Sequence, residues 1–389
     1  MRVVLTLTMF AISIASAGAR AQSAETPWSR ISSAFEVPDV YRDDFGSWAS
    51  VLSFTDGRRV QSAEDWTVRR SEILQQWTDL LGTWPPLITE PQVEVLETIR
   101  RDTITQKRIR FRWTPTEFTT GYLLIPDGTE ERPAVLTVYY EPETAVGARG
   151  ELRDFAWRLA QRGFVTLSIG TTEASEAHTY ALYYPSINDA NVQPLSMLAC
   201  AAANAWHVLA AQPEVDADRI GIVGHSFGGK WAMFAGCLFD RFAAVAVSDP
   251  GIMFGDHPSV NYWEPWYLGW HPQPWRKRGP ITADNPARGL YPKLLQQGHD
   301  LHELQALLAP RPFLVSGGEV DPPDRWRALN HLVRLNSLLG KTHRVGMTNR
   351  PQHAPTPESN SVIDDFFVHF LQPPPGQEFT TQEAARTQN

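Results

Sequence analysis

Residues 222–230 read Ile-Val-Gly-His-Ser-Phe-Gly-Gly-Lys, with Ser226 two positions from Gly224 on one side and from Gly228 on the other. A serine hydroxyl is a weak nucleophile until a base takes its proton. It must also stand clear of the backbone that carries it. A sharp turn from strand to helix meets both needs. The turn strains the backbone at the serine and crowds its neighbours, so the flanking positions must be small. Ser226 is therefore the candidate nucleophile, with Gly224 and Gly228 where the crowding falls. The following helix opens with N–H groups that have no intrahelical partner. The N–H of Phe227 is thereby a candidate donor to the negative oxygen of a tetrahedral intermediate. A glycine-serine turn of a nucleotide-binding fold is the competing reading, and the stretch lacks the adjacent Lys and Ser/Thr of a phosphate loop.

Such a turn needs a buried strand before it and a buried helix after it, and the flanking sequence supplies both. RIGIVG reads as a strand and GGKWAMFAGCLF as a helix. From residue 133 onward the same alternation continues: AVLTVYY, FVTLSI, FAAVAVSD, RPFLVSG and HRVGMT read as strands. Helical patterns lie between them, among them PLSMLACAAANAWHVLAAQ, LHELQALLA, RWRALNHLVRLNSLLG and SNSVIDDFFVHFL. Strands alternating with helices predict a mainly parallel sheet covered on both faces, an α/β fold. Ahead of it, QVEVLETIRR, KRIRFRW and TTGYLLIP alternate in the way of antiparallel strands. Further upstream, Ser62 and Asp65 resemble a helix cap. Trp66, Ile73, Leu74, Trp77, Leu80 and Leu81 then recur at helical spacing until Gly82 and the Trp-Pro-Pro that follows.

The predicted organisation has four parts: an export signal over 1–21, an N-terminal helical segment over 22–90 packing on a catalytic domain over 91–372, and a polar tail over 373–389. The signal is read from Arg2, the apolar stretch Val3 to Ala15 and the Ala19-Arg20-Ala21 cleavage site. The apolar part is short of the roughly 20 residues that span a bilayer. The mature protein is thus expected to be periplasmic or secreted, with no stable membrane insertion. A net charge of -8 argues against nucleic acid as a partner. Cys200 and Cys237 are the only cysteines; a disulfide and two buried apolar thiols are both open. No metal-ligand spacing is present, and no cofactor is implied.

The stretch DADRIGIVGHSFGGKWAMFAG resembles the α/β-hydrolase superfamily. Within it the chain is similar to the branch of acetyl xylan esterases, dienelactone hydrolases and prolyl oligopeptidase-like enzymes. The likeness runs from about residue 62 to 372 and takes in PRPFLVSGG and QHAPTPES. It implies a triad in the chain order serine, acid, histidine. His353 follows the last strand in a Pro-rich loop, where a base toward Ser226 is expected. His343 begins that strand, and His331 and His369 lie in helices. For the acid, Asp321 has the better position after PFLVSGG and the resemblance favours it. Glu319, Asp324 and Asp249 of VAVSDPG remain alternatives, and an Asp-Pro-Pro before a helix also reads as a cap. The loop after AVLTVYY is expected to give the second oxyanion donor. Many relatives carry His-Gly there; this chain has Tyr140, Glu141 and Pro142, so the donor is the N–H of Tyr140 or Glu141, proline having none.

An interruption over 250–300 follows the strand ending at Asp249, where this superfamily inserts a cap. It carries Trp263, Trp266, Tyr267 and Trp270 among polar residues, a composition suited to stacking on sugars or aromatic acyl groups. The same rings would serve equally to pin an irregular loop to the core. The expected activity is that of an exported serine carboxylesterase, acting on acyl esters of carbohydrates or related small molecules. A prolyl oligopeptidase-type peptidase and a glucuronoyl esterase are the alternatives. Glucuronoyl esterases share the Gly-Lys after the serine but carry arginine directly after it, where this chain has Phe227.

Overall fold

The computed structural model describes residues 25–150, 152–171, 180–254, 263, 267–277 and 281–372. The expected export signal, the expected tail and Trp266 lie outside the described residues.

One nine-stranded sheet organises the chain: β1 (Val93–Arg101), β2 (Ile104–Arg112), β3 (Phe118–Pro126), β4 (Arg132–Tyr139), β5 (Val165–Gly170), β6 (Val215–His225), β7 (Ala244–Ser248), β8 (Phe313–Gly317) and β9 (Val345–Asn349). Its order is β1-β2-β3-β5-β4-β6-β7-β8-β9. β1, β2 and β3 pair antiparallel, β3 joins β5 antiparallel, and every pairing from β5 to β9 is parallel. The chain reverses direction across the sheet at β4 and β5, and β4 lies beside β6. The carboxyl ends of β4, β6, β7, β8 and β9 therefore share one edge, where open parallel sheets hold their ligands.

The helices are α1 (Pro27–Ile31), α2 (Ala63–Leu81), α3 (Pro142–Ala145), α4 (Phe155–Gln161), α5 (Pro194–Ala210), α6 (Phe227–Leu238), α7 (Leu290–Gln297), α8 (Leu301–Ala306), α9 (Trp326–Leu338) and α10 (Pro357–Leu371). Apart from α1, α3 and α7, these are the helices that the apolar periodicity predicts. α7 falls inside the 250–300 interruption, whose sequence shows no long helical repeat. α5 and α6 are apolar almost all round, because both lie under further layers: all but two of the residues of α5 are buried, as are all but the last of α6. In α2, Ser62 caps the first turn by accepting from the Asp65 N–H at 3.1 Å. Its stripe of Trp66, Ile73, Trp77 and Leu81 enters the same core as Trp113 and Trp231. Gly82 ends it at φ 88°, where a Cβ would run into the Asn191 carbonyl.

The segment before α2 is strapped to α8 and α9 by polar contacts. Asn330 donates to the carbonyls of Tyr41 and Asp44, both at 2.7 Å. His331 and His302 bond the carbonyls of Phe45 and Ala49. Burial pulls the His302 imidazole down to about 4, so it serves as a neutral donor. Trp48 donates to Asp300, which also accepts the Phe254 N–H at 2.9 Å just beyond β7. No helix among the described residues is long and apolar enough to cross a membrane.

Candidate active site

Ser226 sits between β6 and α6 at φ 54° and ψ −116°, a conformation that L-residues avoid and that active sites retain. Its N–H is held by the Ser248 carbonyl at 2.8 Å. The turn has no spare room. A Cβ on Gly224 would overlap the Gly228 carbonyl, and one on Gly228 would overlap the carbonyl of Val138 at the end of β4. The two glycines let α6 start hard against β4 and β6, which lifts the hydroxyl above the sheet edge. Phe227 is the first residue of α6, so its N–H is among the donors that a helix leaves without an intrahelical partner.

His353 comes from the irregular loop between β9 and α10. Its Nε2 lies 2.9 Å from Ser226 Oγ and its Nδ1 lies 2.6 Å from Asp249 Oδ2. The paired carboxylate fixes the neutral tautomer: Nδ1–H donates to Asp249, which leaves Nε2 to accept from the serine hydroxyl. The imidazole is 36% exposed and the Asp249 side chain 0%. The relay therefore runs from a wet surface to a dry floor.

The acid beside the histidine is Asp249, not Asp321, which corrects the expectation drawn from the sequence. Asp249 stands directly after β7 at φ 49°. Its N–H is fixed by the Ser316 carbonyl at 3.0 Å. That twist turns its carboxylate across the end of β8, where it accepts the N–H groups of Gly318 at 2.7 Å, Val320 at 3.2 Å and Asp321 at 2.8 Å. Asp321 points the other way. It accepts from Gly251 at 2.7 Å and Ile252 at 2.6 Å, and Arg325 stands 3.6 Å away. Burial, and then the neighbouring Asp249 charge, push the Asp321 carboxyl up to about 6. Glu319 is exposed, and Asp324 contacts Arg325 at 4.0 Å. Asp249 carries only a weak sequence signal, an Asp-Pro-Gly that reads equally well as a simple turn.

His225, between Gly224 and Ser226, is 1% exposed, and its ring lies 4.8 Å from that of His353. Burial holds its pKa well below the usual histidine value, and its Nδ1 bonds Ser248. The His353 imidazole thus rests against a neutral one. The loop after β4 lies beside α6. The Tyr140 ring stacks on Phe227 at 4.7 Å, and Glu141 is the residue before α3, its backbone against Gly170. Tyr140 thus lies against the first residue of α6, and Glu141 against the end of β5.

The aromatic insertion is tied to the core. Trp263 is 4% exposed, packs on Phe254 at 5.1 Å and covers Lys230 Nζ at 4.0 Å. Lys230 is buried in α6, donates to the Pro250 carbonyl and is lowered to about 8 by burial. Tyr267 is 6% exposed and stacks on Phe227 at 5.8 Å. Trp270 is partly buried and donates its Nε1–H to the Ile187 carbonyl at 2.9 Å. Cys200 and Cys237 are buried and free; burial pushes the Cys200 thiol up to about 12 and raises that of Cys237 as well. Among the described residues, no cluster of three or more His, Cys, Asp or Glu could hold a metal ion.

The dienelactone hydrolase family model matches residues 119–257, from β3 to just beyond Asp249. No curated protein matches the chain. Among solved structures the fold is similar to that of a glucuronoyl esterase from Solibacter usitatus, at 18% identity over 83% of this chain and 97% of that one, TM-score 0.66. It is similar also to a promiscuous carbohydrate esterase family 15 esterase from a marine bacterial metagenome, at 16% identity over 87% and 98%, TM-score 0.62. A family 15 glucuronoyl esterase from Caldicellulosiruptor kristjansonii gives 21% identity over 89% and 96%, TM-score 0.59. A strained serine between β6 and α6, on a mainly parallel sheet of this order, gives the chain the α/β-hydrolase fold, and its stretch 119–257 matches the dienelactone hydrolase family model.

Proposed function

We propose that the protein is an exported serine carboxylesterase that cleaves esters of carbohydrates through an acyl-enzyme. The observation that carries this reading is the continuous relay from Ser226 Oγ through both nitrogens of His353 to Asp249, at 2.9 and 2.6 Å. In the first half-reaction His353 Nε2 takes the hydroxyl proton as Ser226 Oγ attacks the ester carbonyl. Asp249 holds the imidazole in place and offsets its positive charge. The Phe227 N–H, with Tyr140 or Glu141, takes the oxyanion. The imidazolium then protonates the leaving alcohol, and water repeats the sequence on the acyl-enzyme.

The carbohydrate class is supported by the glucuronoyl esterases among the similar folds. A uronic acid ester is the alternative within it, suggested by the glucuronoyl esterases among those folds. Phe227 replaces their arginine, so the oxyanion here rests on backbone N–H groups. Export follows from the segment 1–21 and is checked by the N-terminal residue of the mature protein, expected to be Gln22.

The test is a panel of methyl glucuronate, acetylated xylo-oligosaccharide, p-nitrophenyl acetate and an aminoacyl anilide. A fluorophosphonate probe, read by mass spectrometry, is run beside it. Ester turnover with the label on Ser226, both lost in Ser226→Ala, is the expected result; the loss in kcat should be ~10⁴–10⁶-fold. Turnover of the anilide alone would favour the peptidase.

A further inference from the structure

We propose that Arg350 is the positioning residue that sets the His353 imidazole between Ser226 and Asp249; the proposal rests on the serine-hydrolase reading above. Arg350 directly follows β9 and is 6% exposed. Its Nε–H donates to the Ala354 carbonyl at 2.7 Å. Nη1 donates to the carbonyl and hydroxyl of Ser316 at 2.9 and 3.0 Å and to the Gly317 carbonyl at 3.2 Å. Nη2 donates to the His353 carbonyl at 2.7 Å and the Ser248 hydroxyl at 3.1 Å. A guanidinium has five N–H donors in a rigid plane, and here every one has an acceptor, with Nη1 sharing its two among three.

None of those acceptors is a carboxylate, so the group acts as a bracket between backbones and not as one half of an ion pair. It joins three chain segments that meet only at this edge of the sheet. Ser248 precedes Asp249, and its carbonyl holds the Ser226 N–H at 2.8 Å. Ser316 lies just before β8 ends at Gly317, and its carbonyl holds the Asp249 N–H at 3.0 Å. His353 and Ala354 belong to the loop that presents the imidazole. One planar group therefore ties the backbone of the base to the residues that fix the nucleophile and the acid. The loop needs such a tie. Residues 350–356 form neither helix nor strand, and the imidazole they carry is partly open to water. Burial lowers the Arg350 pKa from its ordinary value, with Asp249 and Asp321 opposing the shift. A buried cation is costly to keep. Bracketing Ser248 to Ser316 alone would not require it to reach His353.

A lysine cannot reproduce the plane or the forked donors. A misplacement of about 1 Å in a catalytic group can cost ~10²-fold in rate. Arg350→Lys is therefore expected to lower kcat on p-nitrophenyl acetate by ~10²-fold with KM within about twofold. The downfield proton resonance of the His353–Asp249 hydrogen bond should be lost or displaced in the same variant. Ser248→Ala removes one acceptor and should lower kcat in the same direction, by about threefold. Arg350→Lys with near-parental kcat, or with reduced kcat and an unchanged downfield proton, overturns the proposal. Should Arg350→Lys fail to fold, Ser248→Ala decides on the same two readouts, and no change in either overturns it. A parent protein that turns over no ester and takes no probe on Ser226 refutes the serine-hydrolase reading instead. The proton resonance and its response to Arg350→Lys still judge the positioning.

Discussion

The loops after β7 and β8 each carry one fully buried aspartate, and each aspartate grips the backbone of the other loop. Asp249 takes N–H groups from Gly318, Val320 and Asp321; Asp321 takes those of Gly251 and Ile252. The two are nearly symmetric in burial and in hydrogen bonding, yet only Asp249 has an oxygen directed at His353. Asp321 is directed back into the fold, toward Arg325 and the buried Lys230. The difference teaches that position after a strand does not make an acid catalytic. What matters is which way the backbone turns the carboxylate, and the second aspartate serves by moulding the loop that holds the first.

Asparagine at each position breaks this comparison most sharply. Asp249→Asn should lower kcat by ~10⁴-fold, because the amide cannot hold the imidazole in the right tautomer or offset its charge. Asp321→Asn should leave kcat within about tenfold. Its larger cost is ~1–3 kcal/mol of stability, since the amide leaves one buried N–H facing another donor. Matched kinetics and urea unfolding check both, and the reverse ranking would move the acid to β8.

Gly318→Ala asks how close the acid's mould is. A Cβ there would stand 2.7 Å from Asp249 Oδ2 and 2.5 Å from the Gln352 carbonyl. Displacing the carboxylate should lower kcat by ~10²-fold, with His353 still present and KM little changed. Near-normal turnover in this variant would show that the loop yields without consequence.

The pH dependence of stability separates the two loops again. The Asp321 pKa is raised in the folded state, from 3.8 to about 6, so the folded protein holds this proton more tightly than the unfolded chain. Its contribution is fully present below 3.8 and is lost as pH rises through about 6. Unfolding free energy should therefore fall between pH 4.5 and 7 by a larger amount in the parent than in Asp321→Asn. Equal slopes in the two proteins would contradict the assigned burial.

Trp263→Ala tests the insertion. With the ring buried over Lys230 and against Phe254, its removal should cost ~3–5 kcal/mol and lower Tm. Small and bulky esters should lose turnover alike. A KM effect confined to the bulky ester, at unchanged Tm, would return Trp263 to the substrate. The smallest effect is expected at the thiols. Cys200→Ser and Cys237→Ser should keep activity, and thiol reagents should label neither cysteine until the protein is unfolded.

Much of this site is local in the chain, and that part is legible in the sequence. Crowding at a strand-to-helix turn depends on residues within two positions of Ser226, so Gly224 and Gly228 announce it. The strands and helices follow from apolar periods that each segment carries by itself. The place of His353, in a loop just after the last strand, follows from the same segmentation. The acid is another matter. Asp249 follows a strand directly and Asp321 lies a few residues past the next one; both precede proline, and the sequence favours Asp321. The choice is made by the 49° φ at Asp249 and by N–H groups that arrive from residues 318–321, some seventy positions away. The dense aromatics after β7 likewise suit a sugar or a core equally well until Lys230 is seen beneath Trp263. Arg350 gives no sign of its reach, because Ser248, Ser316 and Gly317 become its neighbours only once the sheet has formed. What the sequence determined alone is what short-range sterics and periodicity govern; the direction of each buried polar group was decided by the tertiary structure, since its partners are distant in the chain.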